Sequence, residues 1–276
     1  VSASPSIQEA MEQKFSDLHI IEAARQRAFD LHNSDSFTLK SDLLTYIPLN
    51  CSSGPKDKEE FSLEDKIKDF LPTNCQQKVL LLHGNAGAGK SLFGRWLESH
   101  LWDLFVQGDE ESVIPVFVSL ASLKDPTRTL IEESLTSYGF NQKQINKLLE
   151  SNSTQRMLFI LDGFDEINCK SNLYEGNKFG EFSNNIKVII TARSEYLFGL
   201  GNYLSYFGST SNLQEFYIRP FNPNQRNSFF EKIVENGMSV WKDPSKYEKY
   251  FDKVKGLNDL ITTPYLLRIT TEILPS

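Results

Sequence analysis

Cysteine is scarce in this chain. Only Cys51, Cys75 and Cys169 occur among 276 residues, an odd number with no C-x-x-C spacing. That argues against a disulfide framework and a thiolate zinc site, leaves the three as inert thiols, and suits a reducing, cytoplasmic compartment. The four histidines, His19, His32, His83 and His100, show no ligand spacing such as H-E-x-x-H. His83 is expected to serve packing. Basic residues are outnumbered, 29 Lys and Arg against 36 Asp and Glu for a net charge of -7, which argues against a broad nucleic-acid footprint. No apolar run approaches the roughly 18 residues that span a bilayer, and no basic region followed by an apolar stretch opens the chain. A soluble protein with one large or two smaller domains is expected. Internal repeats are absent.

What is present begins at Val79-Leu80-Leu81-Leu82, an apolar run read as a buried parallel strand, which leads into Gly84-Asn85-Ala86-Gly87-Ala88-Gly89-Lys90-Ser91. This is G-x-x-x-x-G-K-[ST], and a helical stripe of Leu92, Phe93, Trp96, Leu97, Leu101 and Leu104 follows it. Such a loop cradles a triphosphate. Glycines at 84, 87 and 89 are expected to take positive φ and turn backbone amides inward, with no Cβ in the way. Lys90 supplies a point charge between β- and γ-phosphates, Ser91 is a Mg2+ ligand, and the helix opening through Leu92 aims its N-terminus at the anion. The phosphate-binding set is therefore Gly84 through Leu92.

Two more strand ends carry chemistry. Met157 to Leu161 is an apolar strand ending in Asp162, whose carboxylate is expected to hold the metal opposite Ser91. Asp165 and Glu166 follow, where a carboxylate can orient water for attack on the γ-phosphate. Val188-Ile189-Ile190-Thr191-Ala192 ends in Arg193, a guanidinium placed to fork onto phosphate oxygens.

The rest of the pattern sets the organisation. Residues 5 to 32 have the spacing of one or two amphipathic helices, Leu43 to Leu49 is a short apolar segment, and Ser52 to Glu60 is a polar loop. Ser62 with Asp65 three residues on predicts a helix start. Further strands are predicted over Val113–Leu120 and Leu213–Ile218, with a helix opening at Asp125-Pro126. Strands alternating with helices imply a parallel sheet covered on both faces. Beyond Pro220 only helices are predicted, each opened by a capping residue before proline: Asn222-Pro223, Asp243-Pro244 and Thr263-Pro264. The last of these is still running near Ser276, so the chain reads as a piece of a longer protein.

The set GNAGAGKS, LFILDGFDEI, VIITARS and a helical region containing TTPYLL resembles a NACHT domain of the STAND class of P-loop NTPases, over about residues 40 to 276. The D-G-F-D-E run is its most specific element. The resemblance implies an α/β P-loop NTPase with a parallel five-stranded sheet flanked by helices, followed by a small all-helical domain. It divides the chain into an N-terminal helical segment (1–40), the NTPase domain (41–219) and the helical domain (220–276). It implies an ATP/ADP site with Mg2+, in which Lys90, Ser91 and Asp162 hold phosphate and metal. Asp165 and Glu166 would be the hydrolytic acids, Arg193 the sensor, Pro264 the residue packing on adenine, and Tyr46, Ile47 and Pro48 the segment covering the base. It also implies flanking sensor and effector domains and homo-oligomerisation on activation.

The leading functional expectation is a nucleotide-controlled signalling switch with slow hydrolysis, and the alternative is a turnover ATPase of the AAA+ kind. A GTPase is disfavoured, because Asn177-Lys178-Phe179-Gly180 and Asn146-Lys147-Leu148-Leu149 both lack the acid of N/T-K-x-D. A scaffold without nucleotide is disfavoured because every expected phosphate and metal residue is present.

Overall fold

The structure, a computed structural model, describes Glu22, Gln26 and residues 37–107, 113–150, 155–167, 171–182, 185–254 and 261–273. The helices predicted over 5–32, apart from two single residues, and Cys169 lie outside this set.

The chain opens with α1 (Phe37–Leu44), two short strands β1 (Asn50–Ser52) and β2 (Phe61–Ser62), and α2 (Leu63–Phe70). Then follow β3 (Val79–Gly84), α3 (Lys90–Gln107), β4 (Ile114–Ser119), α4 (Leu130–Ser137), α5 (Gln142–Leu149) and β5 (Met157–Asp162). After α6 (Leu173–Gly176) come β6 (Ile186–Arg193), α7 (Ser194–Gly199) and β7 (Leu213–Ile218), and the helices α8 (Pro223–Glu235), α9 (Pro244–Lys253) and α10 (Pro264–Ile273) complete it. All three proline-led helices start where their caps predict. Asn222 and Gln225 form a reciprocal capping box, Asp243 accepts from the Ser245 amide, and Thr263 from the Leu266 amide. By contrast, Asp125 opens no helix. Its carboxylate takes the Thr127 amide and hydroxyl in a local turn, and α4 begins five residues later.

Five strands, in the order β7-β3-β6-β5-β4, run parallel. β1 and β2 extend the β7 edge in antiparallel pairing, so the sheet has seven strands rather than five. Strands of three and two residues carry no periodic signal, which is why the sequence shows only a polar loop there. Side chains alternate across β3: Val79 and Leu81 enter one apolar cluster, Leu80 and Leu82 the other. The second cluster also buries Phe229, Phe230, Tyr247, Phe251 and Leu267 of the last three helices. Cys51 is buried there, and burial pushes its thiol up to about 11, as an inert thiol requires. At the opposite edge, Pro115 offers β4 no donor, and the Tyr138 hydroxyl takes the Phe117 amide at 2.7 Å. That edge is closed to further strands.

β6 carries a lysine at a buried position. Lys187 Nζ donates to the carbonyls of Phe70, Cys75 and Gln77, and Arg156 donates to Leu71, so the C-terminus of α2 is held by two cations. Burial pushes the Lys187 ammonium below the usual lysine range. Lys187→Met is expected to lower the unfolding free energy by about 2–4 kcal/mol, since it strands three carbonyls. Urea denaturation measures this, and a change under about 0.5 kcal/mol would mean the carbonyls find other partners.

Among the described residues no helix is long and apolar enough to cross a membrane.

Candidate functional site

Parallel pairing brings the C-terminal ends of β3, β5 and β6 to one edge of the sheet. The register sets Gly84 opposite Arg193 and places β6 between the phosphate-loop strand and the Asp162 strand. A cleft of about 300 Å3 opens there. Its wall includes the loop from Ala86 to Leu92, the acids Asp162, Asp165 and Glu166, and Arg193. Tyr46, Ile47, Leu49 and Pro264 also line it, with Leu49 and Pro264 against Gly89 of the loop.

The loop departs from expectation at one glycine. Gly87 and Gly89 have φ of 72° and 93°, but Gly84 does not take positive φ. It ends β3, and a Cβ there would meet Ala88 Cβ at 3.3 Å and the Lys90 side chain at 3.4 Å. Close approach, rather than handedness, favours glycine here. Lys90 Nζ donates to the carbonyls of Gly84 (2.8 Å) and Asn85 (3.0 Å). Burial pushes its ammonium down, while Asp165 and Asp162 push it back up.

Across the cleft, the Thr191 hydroxyl is fully buried, donates to Asp162 Oδ1 at 2.6 Å and accepts from the Gly163 amide at 3.0 Å. This fixes the Asp162 carboxylate, and Asp162 lines the cleft. Asp165 is engaged on both oxygens by Arg193, Oδ2 with the guanidinium Nε at 2.9 Å and Oδ1 with the backbone amide at 2.9 Å. Its side chain is only 7% exposed, whereas Arg193 is 53% exposed. Glu166 is exposed and lines the same wall.

Ser91 is exposed, and its hydroxyl and the Asp162 carboxylate line one cleft. Among the described residues no cluster of three His, Cys, Asp or Glu side chains could hold a metal by itself. This donor set fits Mg2+, which takes one or two protein ligands and fills its shell from phosphate and water.

Tyr46 is buried, stacks on Trp96 at 4.7 Å and donates to Glu64 at 2.6 Å. Burial, then the Glu64 charge, raises its hydroxyl's pKa. Pro48 is exposed and stands outside the cleft wall, its carbonyl taking Gln225 at 2.7 Å, so Leu49 rather than Pro48 follows Ile47 into the lining. The first turn of α10 lies on the loop: a Cβ on Gly89 would meet Pro264 Cγ at 3.3 Å, and one on Gly87 would meet Tyr265 Cβ at 2.9 Å. Thr191, Asp42, Thr45, Leu49, Phe221, Phe229 and Arg268 line the cleft without having been singled out by sequence. Only Thr191 left a signal, as a polar residue in an apolar strand end.

His83 stands one residue before the loop, fully buried, with Nε2 2.8 Å from Glu215, and stacks on Tyr217 at 4.1 Å. Packing is its visible role. Burial pushes the Glu215 carboxyl up, but hydrogen bonds from His83 and Tyr203 outweigh that and hold it below the usual range.

A family model described as NACHT domain matches residues 78–237, more than half of the chain. Among solved structures, the chain is similar to one in Drosophila ORC bound to DNA, with 13% identity and a TM-score of 0.52 over 88% of this chain and 62% of that one. It is also similar to the Aeropyrum pernix ORC2 protein in its ADPNP-ADP complexes (14% identity, TM-score 0.43, 69% and 54% covered). The Thermotoga maritima RuvB Holliday junction branch migration motor matches at 15% identity and a TM-score of 0.38, covering 64% and 50%. This chain thus spans between half and two thirds of each solved chain, and at such identities the Drosophila likeness speaks for the fold alone. Among curated proteins nothing matches the sequence.

Proposed function

This chain belongs to the NACHT domain family of nucleotide-binding P-loop proteins, and from that premise we propose that it is an ATP/ADP switch, slow in hydrolysis, whose exchange of ADP for ATP moves the helical region beyond Pro220. Residues 41–219 would act as the nucleotide module and 220–276 as the responding element, with self-association in the open state.

The observation that carries this reading is the contact of α10 with the phosphate loop, on the same cleft that Arg193 and Glu166 line from the other side. A group bound between them touches both. A γ-phosphate biases a conformational equilibrium only through contacts that one state makes and the other lacks. Arg193 suits that role. It is half exposed, oriented by Asp165, and able to exchange a carboxylate for phosphate oxygens of the same fork geometry. The Arg193 backbone amide still holds one Asp165 oxygen after that exchange, whereas Glu166 is exposed in the same wall and is the acid we assign to orient an attacking water. Ser91 and Asp162 would hold Mg2+, which supplies neutralisation of charge on the β- and γ-phosphates.

Arg193→Ala is expected to weaken ATP by about tenfold to a hundredfold, the range of a charge-assisted contact, while ADP affinity changes little. Titration of both nucleotides into wild type and variant reads this ratio. An unchanged ratio would remove Arg193 as the sensor. Sustained turnover of a few per second or faster would favour a motor over a switch.

A further inference from the structure

We propose that Thr191 is a positioning residue that couples the metal acid to the hydrolytic acid, one hydroxyl holding both Asp162 and the turn that carries Glu166. This rests on reading the cleft as a Mg2+-nucleotide site.

The bonding of that hydroxyl is fully determined. It is buried and has two partners among the described residues, the Gly163 amide, which only donates, and Asp162 Oδ1. With a lone pair taken by the amide at 3.0 Å, its proton goes to the carboxylate at 2.6 Å. The Asp162 carboxylate has no other hydrogen bond or ion pair among the described residues. Removing the hydroxyl therefore leaves that carboxylate free to turn. A metal ligand's outer hydrogen bond fixes its orientation, and losing such a partner lowers metal affinity or activity about tenfold to a hundredfold.

The second bond reaches the hydrolytic side. Gly163 has φ of 80° and opens the short turn Phe164–Glu166, closed by the Glu166 amide on the Gly163 carbonyl at 2.9 Å. A Cβ on Gly163 would meet the Glu166 carboxyl carbon at 3.0 Å, so that carboxyl lies against this glycine. Two positions along β6, Arg193 holds Asp165 through its guanidinium and its amide. The acid turn is thus pinned to β6 at two points. When the guanidinium turns to phosphate, the Thr191 hydroxyl and the Arg193 amide keep the turn in place.

The test uses the whole 276-residue chain with ADP bound. Mn2+ stands in for Mg2+, because its free ion is read directly by electron paramagnetic resonance. Thr191→Val keeps the shape of the side chain and removes the hydroxyl. It is expected to weaken Mn2+ in the ADP complex about tenfold or more, while ADP affinity in EDTA stays within about threefold, since the hydroxyl makes no hydrogen bond to the phosphate loop. Single-turnover ATP hydrolysis at saturating Mg2+ is expected to remain slowed about tenfold or more, because refilling the metal site does not restore the hold on the Glu166 turn. Thr191→Ser, which keeps the hydroxyl, is expected to restore both. Wild-type Mn2+ affinity in a folded Thr191→Val, or a hydrolysis rate that excess Mg2+ returns to the wild-type value, overturns the proposal. So does a Thr191→Ser variant as defective as Thr191→Val, which would assign the effect to packing. If Thr191→Val fails to fold, Thr191→Cys, whose thiol is only a weak donor, carries the same expectations. Absence of nucleotide binding by wild type would instead overturn the reading on which the proposal rests.

Discussion

Lys90→Ala is expected to weaken ATP binding by at least about a hundredfold. Its ammonium is the one cation on the loop itself, and the hydrogen bonds it already makes, to the carbonyls of Gly84 and Asn85, put it at the mouth of the phosphate cradle. Alanine removes the charge that offsets the triphosphate and leaves Asp162 and Asp165 facing the same cleft unopposed on that side. The electrostatics add a pH dependence. Burial lowers the Lys90 pKa, so the ammonium neutralises at a lower pH than an ordinary lysine and ATP affinity should fall on the alkaline side earlier than free lysine would allow. Fluorescence or calorimetric titration across that range measures both effects. An alanine variant within about threefold of wild type would overturn the phosphate assignment.

Glu166→Gln is expected to leave nucleotide affinity within about twofold while slowing hydrolysis about a hundredfold or more, the scale of a positioned general base. The choice of Glu166 over Asp165 comes from geometry. Asp165 is 7% exposed and keeps the Arg193 backbone amide on one oxygen even when the guanidinium turns to phosphate, whereas Glu166 is exposed in the same wall. Asp165→Asn should behave differently, weakening the hold on Arg193 and with it the preference for ATP over ADP. Single-turnover hydrolysis separates the two. A normal rate in Glu166→Gln beside a collapsed rate in Asp165→Asn, with ATP still bound, would reverse the assignment.

Much of this site was legible because its chemistry stands at strand ends that local pattern marks. Val79 to Leu82, Met157 to Leu161 and Val188 to Ile190 are apolar runs buried on both faces, and each leads to a polar residue at the edge. The proline-led helix starts were equally plain, since a cap and its amide lie within three residues. What stayed hidden depends on strand order. Thr191 can bridge Asp162 and Gly163 only because β6 lies between β3 and β5, and no local spacing states that. Asp42 and Arg268, 226 positions apart by their numbers, meet only when α10 folds back over α1. Pro48 is exposed and outside the lining that Tyr46, Ile47 and Leu49 share, and no local spacing marks which residue of this segment turns outward.

The most direct test of the central claim is an experimental structure of the chain with Mg2+ and ADP. The β-phosphate is predicted against the amides of Gly87 to Ser91 beside Lys90, and the base in the slot between Ile47 and Pro264. Phosphates away from that loop, or a base lodged outside the slot, would contradict it.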